Sequence, residues 1–165
     1  MAPDWLVRTG LTLVFALLVV LAAWAMRRSW DRRAARMSDL PPLPAAHDFA
    51  AELEVAGRYL ATTSAGDWLD RVTANGLGAP SRAVLALGPQ GVLVERAGSD
   101  PFWIAREQVE AVRTDRAIAG KAFERDGIAV ITWRHGGRTL DTGFRADTTE
   151  DHLRLLAACG DWNQG

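Results

Sequence analysis

The sequence predicts a β-rich α+β domain that follows a single membrane-spanning helix. Three observations lead to this fold class. Residues 5–26 form an apolar run, residues 52–144 hold short strand-like segments separated by turn residues, and residues 148–160 return to the spacing of an amphipathic helix. Strands that come first and a helix that comes last are typical of an α+β domain rather than of an alternating α/β fold.

The apolar run is long enough to cross a bilayer. Its 22 residues, 5–26, span roughly 33 Å at about 1.5 Å per residue, against about 30 Å for the hydrocarbon core. No side chain from Thr9 to Met26 is ionisable, and nine Leu, Val and Phe side chains favour insertion by about 3 to 5 kcal/mol. Trp5 and Trp24 lie near its ends, where tryptophan is enriched at membrane interfaces. We therefore predict a transmembrane helix.

Arginines follow the run and predict its orientation. They are Arg27, Arg28, Arg32, Arg33 and Arg36. Positive charge stays on the cytoplasmic side of a span, so the N-terminus is expected outside the cell membrane and the C-terminal domain in the cytoplasm. The arginines also attract anionic lipid at up to about 1 kcal/mol each. A cleaved signal peptide is the alternative, because Ala23-Trp24-Ala25 fits a small-residue cleavage pattern.

Charge and proline content divide the rest of the chain. Residues 1–36 carry six arginines and two aspartates, a net charge of +4, whereas residues 37–165 carry 13 basic and 18 acidic residues, a net charge of −5. The acidic part is a poor partner for nucleic acid. Three prolines near its start predict an extended linker or a P-x-x-P ligand. The expected division is 5–26 transmembrane helix, 27–46 basic flank and Pro-rich linker, and 47–165 cytoplasmic domain.

The cytoplasmic domain is predicted to contain about seven strands. Glu52 to Thr63 is the first, with a glycine bend at Gly57, and a helical turn capped by Asp67 follows it. Two hairpins are predicted, the first through Gly88-Pro89-Gln90-Gly91 and the second through His135-Gly136-Gly137. The segments assigned to the strands after the first are Arg82–Leu87, Gly91–Arg96, Pro101–Ile104, Gln108–Thr114, Lys121–Arg125 as a strand or a loop, Ile128–Trp133 and Arg138–Phe144.

The chain then changes from strand spacing to helix spacing. Thr148 is expected to cap a helix that has Asp151 at its third position, and Gly160 ends it. Its predicted apolar face consists of Leu153, Leu156 and Ala157.

Two stretches add a family resemblance. Ala65 to Val72 reads A-G-D-W-L-D-R-V, and Pro101 to Val109 reads P-F-W-I-A-R-E-Q-V. Together with the apolar span and the arginine flank, they resemble single-pass membrane proteins of high-GC Gram-positive bacteria that carry a bacterial pleckstrin-homology-like (PH-like) domain. The resemblance implies a PH-like antiparallel barrel or sandwich of about seven strands with a C-terminal helix and without a catalytic signature. Some members are labelled export or transporter proteins.

The resemblance raises the question of lipid headgroup binding. Eukaryotic members that bind inositol phosphates carry a K-x-n-K/R-x-R cluster around the first hairpin. Here that region has only scattered arginines, Arg58, Arg71 and Arg82, beside Asp67 and Asp70. Because the domain carries a net charge of −5, protein recognition is the favoured expectation.

Patterns typical of enzymes are absent from the sequence. It contains no G-x-S-x-G, H-E-x-x-H or paired-cysteine motif, and Gly120-Lys121 lacks the rest of a phosphate loop. His152 and Cys159 share one face of the last helix, which suggests either an activated thiol or a buried packing cysteine, and the second reading is preferred. We therefore predict a protein without catalytic residues, cofactor or metal.

The predicted interaction surface is the turn that contains Asp67, Trp68, Asp70 and Arg71, because tryptophan and arginine are enriched at binding hot spots. Trp68, like Trp103 and Trp133, could equally belong to the core. The expected function is a membrane-anchored, non-enzymatic binding or scaffold protein whose cytoplasmic domain recruits a protein partner at the inner leaflet. The alternatives are an accessory subunit of an export or transport assembly and a sensor of anionic lipid headgroups.

Overall fold

The computed structural model describes residues 12–28, 40–46, 48–122 and 127–163. The chain divides into two compact units, Met1–Asp39 and Leu40–Gly165.

In the first unit, residues 12–28 form a helix, α1. Its large apolar side chains are exposed to solvent: Leu13, Val14, Phe15, Leu17, Leu18, Val19, Val20, Leu21, Trp24 and Met26. Within the described part of the chain, no helix combines the length and the apolar character needed to cross a membrane. Residues 5–11 of the predicted span lie outside the described residues.

The second unit holds the strands and the C-terminal helix. The strands among its described residues are β1 (Leu53–Ser64), β2 (Ser81–Gly88), β3 (Gly91–Arg96), β4 (Ser99–Ala105), β5 (Val109–Asp115), β6 (Ala117–Ile118), β7 (Lys121–Ala122), β8 (Ile128–His135) and β9 (Arg138–Ala146). Helix α2 is Thr149–Ala158, and short 3-10 helices lie at Ala74–Gly76, Arg106–Gln108 and Gly160–Asn163. The predicted β-rich domain with a C-terminal helix is confirmed.

Seven of the strands form one antiparallel sheet in the order β4-β3-β2-β1-β9-β8-β5, and β6 pairs only with β7. Strand β1 belongs to both halves of the sheet. Its first part pairs with β2, its second part pairs with β9, and the β1–β9 register shifts between Tyr59 and Ala61. Side chains from all seven strands meet in one core.

The core is centred on four fully buried aromatic side chains, Tyr59, Phe102, Trp133 and Phe144. The Phe102 and Trp133 rings stack with centroids 6.0 Å apart. The buried Tyr59 hydroxyl has a partner in the core: Tyr59 Oη donates to the Leu77 carbonyl at 2.6 Å. Burial raises the pKa of Tyr59 to about 12, despite hydrogen bonding to Thr62 and the nearby charge of Arg96. The phenol therefore stays protonated and serves as a structural donor.

Both predicted hairpins are confirmed. In the first, Gly88 pairs with Gly91 across the Pro89-Gln90 turn. In the second, Gly136 and Gly137 adopt φ values of 57° and 74°, which two-residue hairpin turns require and glycine adopts without steric cost. These contacts are local, and for this reason the sequence indicates them.

Helix α2 begins as predicted. The Asp151 backbone N–H donates to Thr148 Oγ1 at 3.1 Å, and the Thr148 hydroxyl donates to Asp151 Oδ2 at 2.9 Å. This pair caps the helix at its N-terminal end.

The predicted apolar face of α2 is correct at Leu156, which is half-buried and packs against the core, but it is wrong at Leu153 and Ala157. Leu153 is 60% exposed, and Ala157 is also exposed. The buried face instead consists of His152, Leu155 and Cys159, which are spaced three and four residues apart and form one stripe toward the sheet. Tertiary packing, not the count of Leu and Ala, decides which stripe faces the core.

Residues 40–46 of the predicted linker pack on the sheet. The Pro41 carbonyl accepts a hydrogen bond from Asn75 Nδ2 at 2.9 Å, and the Pro44 carbonyl accepts one from the backbone N–H of Trp103 at 3.0 Å. These contacts lie at one end of the sheet and along the edge of β4. Residues 40–46 therefore belong to the folded second unit.

Candidate interaction surface

The residues of the predicted surface lie in one tight turn, residues 65–71, directly after β1. Asp67 does not begin a helical turn as expected. Its Oδ1 instead accepts a hydrogen bond from the Leu69 backbone N–H at 3.0 Å, an arrangement typical of Asp in turns. Two backbone bonds close the turn, from Ser64 N to Asp70 O at 3.0 Å and from Asp70 N to Asp67 O at 3.1 Å. The backbone is therefore held in one conformation.

Side chains also fix the turn to the sheet. The Ser64 hydroxyl donates to Asp70 Oδ2 at 2.6 Å, so the Asp70 carboxylate serves the turn itself. Gly66 N–H donates to Asp141 Oδ2 at 3.3 Å, and Asp141 in turn accepts from Arg113 Nη2 at 2.8 Å. Strands β5 and β9 thus support the turn through one buried carboxylate.

The electrostatics of Asp141 follow from these contacts. Burial alone would raise the pKa of Asp141, but hydrogen bonds from Arg113 and Thr132 and the positive charge of Arg113 outweigh burial and hold the pKa below its usual range. The hydrogen bond to Asp141 likewise raises the pKa of Arg113, against the opposing effect of burial. Asp141 is therefore ionised in the folded protein at neutral pH.

Replacing Asp141 by Asn should destabilise the domain by about 1 to 3 kcal/mol at neutral pH, because the buried carboxylate no longer accepts charge-assisted hydrogen bonds from Arg113. A carboxylate whose folded pKa is lowered stabilises the fold above its unfolded pKa, about 3.9, and loses that contribution as pH falls through the folded pKa. When the pH is lowered below about 4, the melting temperature should thus decrease more steeply in the wild type than in Asp141→Asn.

The exposed pair of Asp147 and Arg82, whose atoms lie 2.9 Å apart, provides the matched control. Asp147→Asn should change stability by less than about 1 kcal/mol, since surface ion pairs contribute little. Equal effects of the two substitutions would contradict the structural role of Asp141.

Arg71 has a structural role that the sequence did not reveal. Its Nη1 donates to the Gly78 carbonyl at 3.2 Å, and its Nη2 donates to the Ala119 carbonyl at 2.8 Å. The half-buried guanidinium therefore connects three loops.

Two large apolar side chains of the turn are exposed. Trp68 is 46% exposed and Leu69 is 63% exposed. Among the described residues of the second unit, the only other large hydrophobic side chain with comparable exposure is Leu153. Trp103 and Trp133, by contrast, are buried in the core. Leu69 was missed as a surface residue, although its position beside Trp68 was a usable signal.

The predicted anchor residues are described only in part. Trp24 is exposed, and the guanidinium carbon of Arg28 lies 5.4 Å from the centroid of its ring. Arg27 is exposed on the same helix. Trp5, Arg32, Arg33 and Arg36 lie outside the described residues.

A cleft of about 730 Å³ lies between residues 42–46 and the β3–β4 turn. Arg96 lines it but is only 6% exposed. Its Nη1 and Nη2 donate to the Gly76 and Asp100 carbonyls, at 2.8 and 3.0 Å, and its guanidinium carbon lies 4.9 Å from the centroid of the Phe102 ring. The Arg96 cation is thus bonded inside the fold and is not directed at a ligand in the cleft.

The structure gives no support to the activated thiol. Burial raises the pKa of Cys159 to about 12, although the charge of Arg106 acts in the opposite direction. Very little thiolate exists at neutral pH under these conditions. Among the described residues, no group of three or more His, Cys, Asp or Glu side chains is placed to hold a metal ion.

Comparison with known proteins agrees with this architecture. Residues 37–160 match the family described as Bacterial PH domain-like. The matched region includes every strand of the seven-stranded sheet and helix α2. No curated protein sequence matches the chain. The chain belongs to the bacterial PH domain-like family.

Proposed function

We propose that the protein is a membrane-anchored, non-enzymatic binding or scaffold protein whose cytoplasmic PH-like domain recruits a protein partner at the inner leaflet. The observation that carries the proposal is the Trp68–Leu69 pair, exposed on a turn whose backbone is already fixed. Because the backbone of the turn is held by its own hydrogen bonds, little backbone entropy is lost when the pair binds, and tryptophan is enriched at binding hot spots. PH-like domains are in general binding modules, which agrees with this role.

The membrane part of the proposal is supported by the composition and the exposure of α1. Its apolar side chains point to solvent on all sides, and water is a poor environment for so much apolar surface. Burial in lipid would remove that surface from water, with Arg27 and Arg28 at the cytoplasmic end.

A protein partner is favoured over a lipid headgroup by charge. The sequence from residue 37 onward has a net charge of −5, and the one buried arginine beside the cleft is bonded to backbone carbonyls. An acidic domain is repelled by anionic lipid and attracted by basic protein surfaces.

The proposal is tested by placing a photo-crosslinking amino acid at position 69 of the full-length protein in cell membranes. We expect the chain in the membrane fraction and one discrete protein adduct after irradiation. Leu153 provides the matched control, because it is 60% exposed on α2, and the same substitution there should give no such adduct.

The identity of the adduct separates the alternatives. A soluble protein or a small membrane protein supports the scaffold, whereas a multi-span protein supports an accessory subunit of an export or transport assembly. A lipid adduct at position 69 supports the headgroup sensor. The proposal is overturned if positions 69 and 153 give the same adducts or if neither gives any.

A further inference from the structure

The turn of residues 65–71 does not stand alone. The hydrogen bond from Arg71 Nη2 to the Ala119 carbonyl, 2.8 Å long, joins it to the loop between β6 and β7. A Cβ atom at Gly120 would lie 4.0 Å from Leu69 Cδ2. The turn therefore lies next to the β6–β7 loop, and the exposed Trp68–Leu69 pair forms one surface with this loop.

The β6–β7 loop is itself firmly placed. Ile118 is 2% exposed and packs with Leu60, Ile128 and Val130 in a second, smaller apolar cluster. Ala119 has a φ of 52°, a left-handed conformation that is unfavourable for a residue with a Cβ atom. Such strain persists where the surroundings impose it and is found often at binding sites.

The acidic residues of the turn and its one arginine differ in how far they are exposed to solvent. Asp67 is exposed beside Trp68 in the chain, and Asp70 is half-buried in the same turn. The one cation of the turn, Arg71, faces two carbonyl oxygens rather than solvent. On the side of the turn, the surface therefore shows a partner an apolar pair beside the exposed negative charge of Asp67.

We propose that Trp68, Leu69 and the Ala119–Gly120 loop form one docking surface for a protein partner that offers an apolar groove bordered by lysine or arginine. Trp68 and Leu69 are large apolar side chains exposed on a turn, which suits an apolar groove on the partner, and the exposed Asp67 carboxylate attracts basic side chains. An anionic bilayer is the disfavoured occupant, because it has the same sign of charge as Asp67. This inference rests on the proposed function and specifies its partner.

The test uses the full-length protein in phosphatidylcholine nanodiscs and two amphipathic model peptides. One consists of leucine and lysine, and in the other glutamate replaces every lysine. Fluorescence anisotropy should show that the lysine peptide binds about tenfold or more tightly than the glutamate peptide. Leu69→Ser should weaken binding of the lysine peptide by about tenfold, as expected for a hot-spot side chain, whereas Leu153→Ser should leave it unchanged. Asp67→Asn, which removes the charge but keeps an oxygen acceptor for the Leu69 backbone N–H, should reduce the preference between the peptides. Circular dichroism of each variant should be that of the wild type.

The inference is overturned if the lysine peptide does not bind, if both peptides bind equally, or if Leu153→Ser weakens binding as much as Leu69→Ser. It is also overturned if brominated anionic lipid quenches tryptophan fluorescence and the quenching decreases in Trp68→Phe, since the occupant is then the bilayer. A protein adduct at position 69 without a preference for the lysine peptide removes this inference and leaves the proposed function intact. Absence of the adduct removes the proposed function itself.

Discussion

Trp133→Ala is expected to lower the free energy of unfolding by about 3 to 5 kcal/mol, the cost typical of emptying the site of a large buried aromatic side chain. The Trp133 ring is completely buried and stacks on Phe102. Its indole Nε1 donates to Thr142 Oγ1 at 2.9 Å, so the substitution also removes a donor from a buried hydroxyl. The emptied site and the lost hydrogen bond both lower the free energy of unfolding.

Chemical denaturation of the full-length protein, followed by circular dichroism, measures this loss. Trp68→Ala is the matched control, because the same side chain is removed from a position that is 46% exposed. Its effect should stay within about 0.5 kcal/mol, as is usual for surface substitutions. A similar loss from both variants would mean that Trp68 belongs to the core and would remove the basis of the docking surface.

Gly57→Ala is expected to destabilise the domain by about 3 kcal/mol or more, at the upper end of overpacking effects. Gly57 pairs with Ala83 of β2 on one side and Ala146 of β9 on the other. A Cβ atom there would lie 2.6 Å from Phe144 Cζ and would also collide with the Arg145 carbonyl. The Phe144 ring belongs to the core and the Arg145 carbonyl to the backbone of β9, so neither can move without breaking the sheet.

Melting temperature measures the effect, and Gly160→Ala controls for the loss of glycine as such. A Cβ atom at Gly160 meets no atom within 4 Å, so that variant should melt within a few degrees of the wild type. If Gly57→Ala also melts within a few degrees of the wild type, β1 and β9 do not approach each other as closely as described.

Gly57 also shows which features can be predicted from neighbouring residues and which cannot. The sequence correctly predicted a strand over this region and treated Gly57 as the bend within it. In the structure the β1–β9 register shifts between Tyr59 and Ala61 instead, and Gly57 is the point of close approach between strands. Which role a glycine has depends on the neighbouring strand, and β9 lies more than eighty residues away in the sequence.

The turn of residues 65–71 was predictable to a similar extent. Asp67, Trp68, Asp70 and Arg71 were grouped correctly into one turn, because they are adjacent in the chain. Their individual roles were not visible, since Arg71 bonds to the Ala119 carbonyl. Support from Asp141 and the neighbouring β6–β7 loop likewise arises only when distant segments meet.

The sequence by itself determined the features encoded within a few residues: the strand segments, the two hairpin turns, the Thr148 cap, and the separation of a basic N-terminal part from an acidic domain. Turn geometry and capping depend on local φ, ψ and hydrogen bonding, so they can be predicted from neighbouring residues. Only the tertiary structure decided that β1 joins β2 to β9, that residues 40–46 pack on the sheet, and that Trp133 is buried while Trp68 is exposed. Burial is a property of contacts between segments far apart in the chain, and no local pattern distinguishes one charge-flanked tryptophan from another.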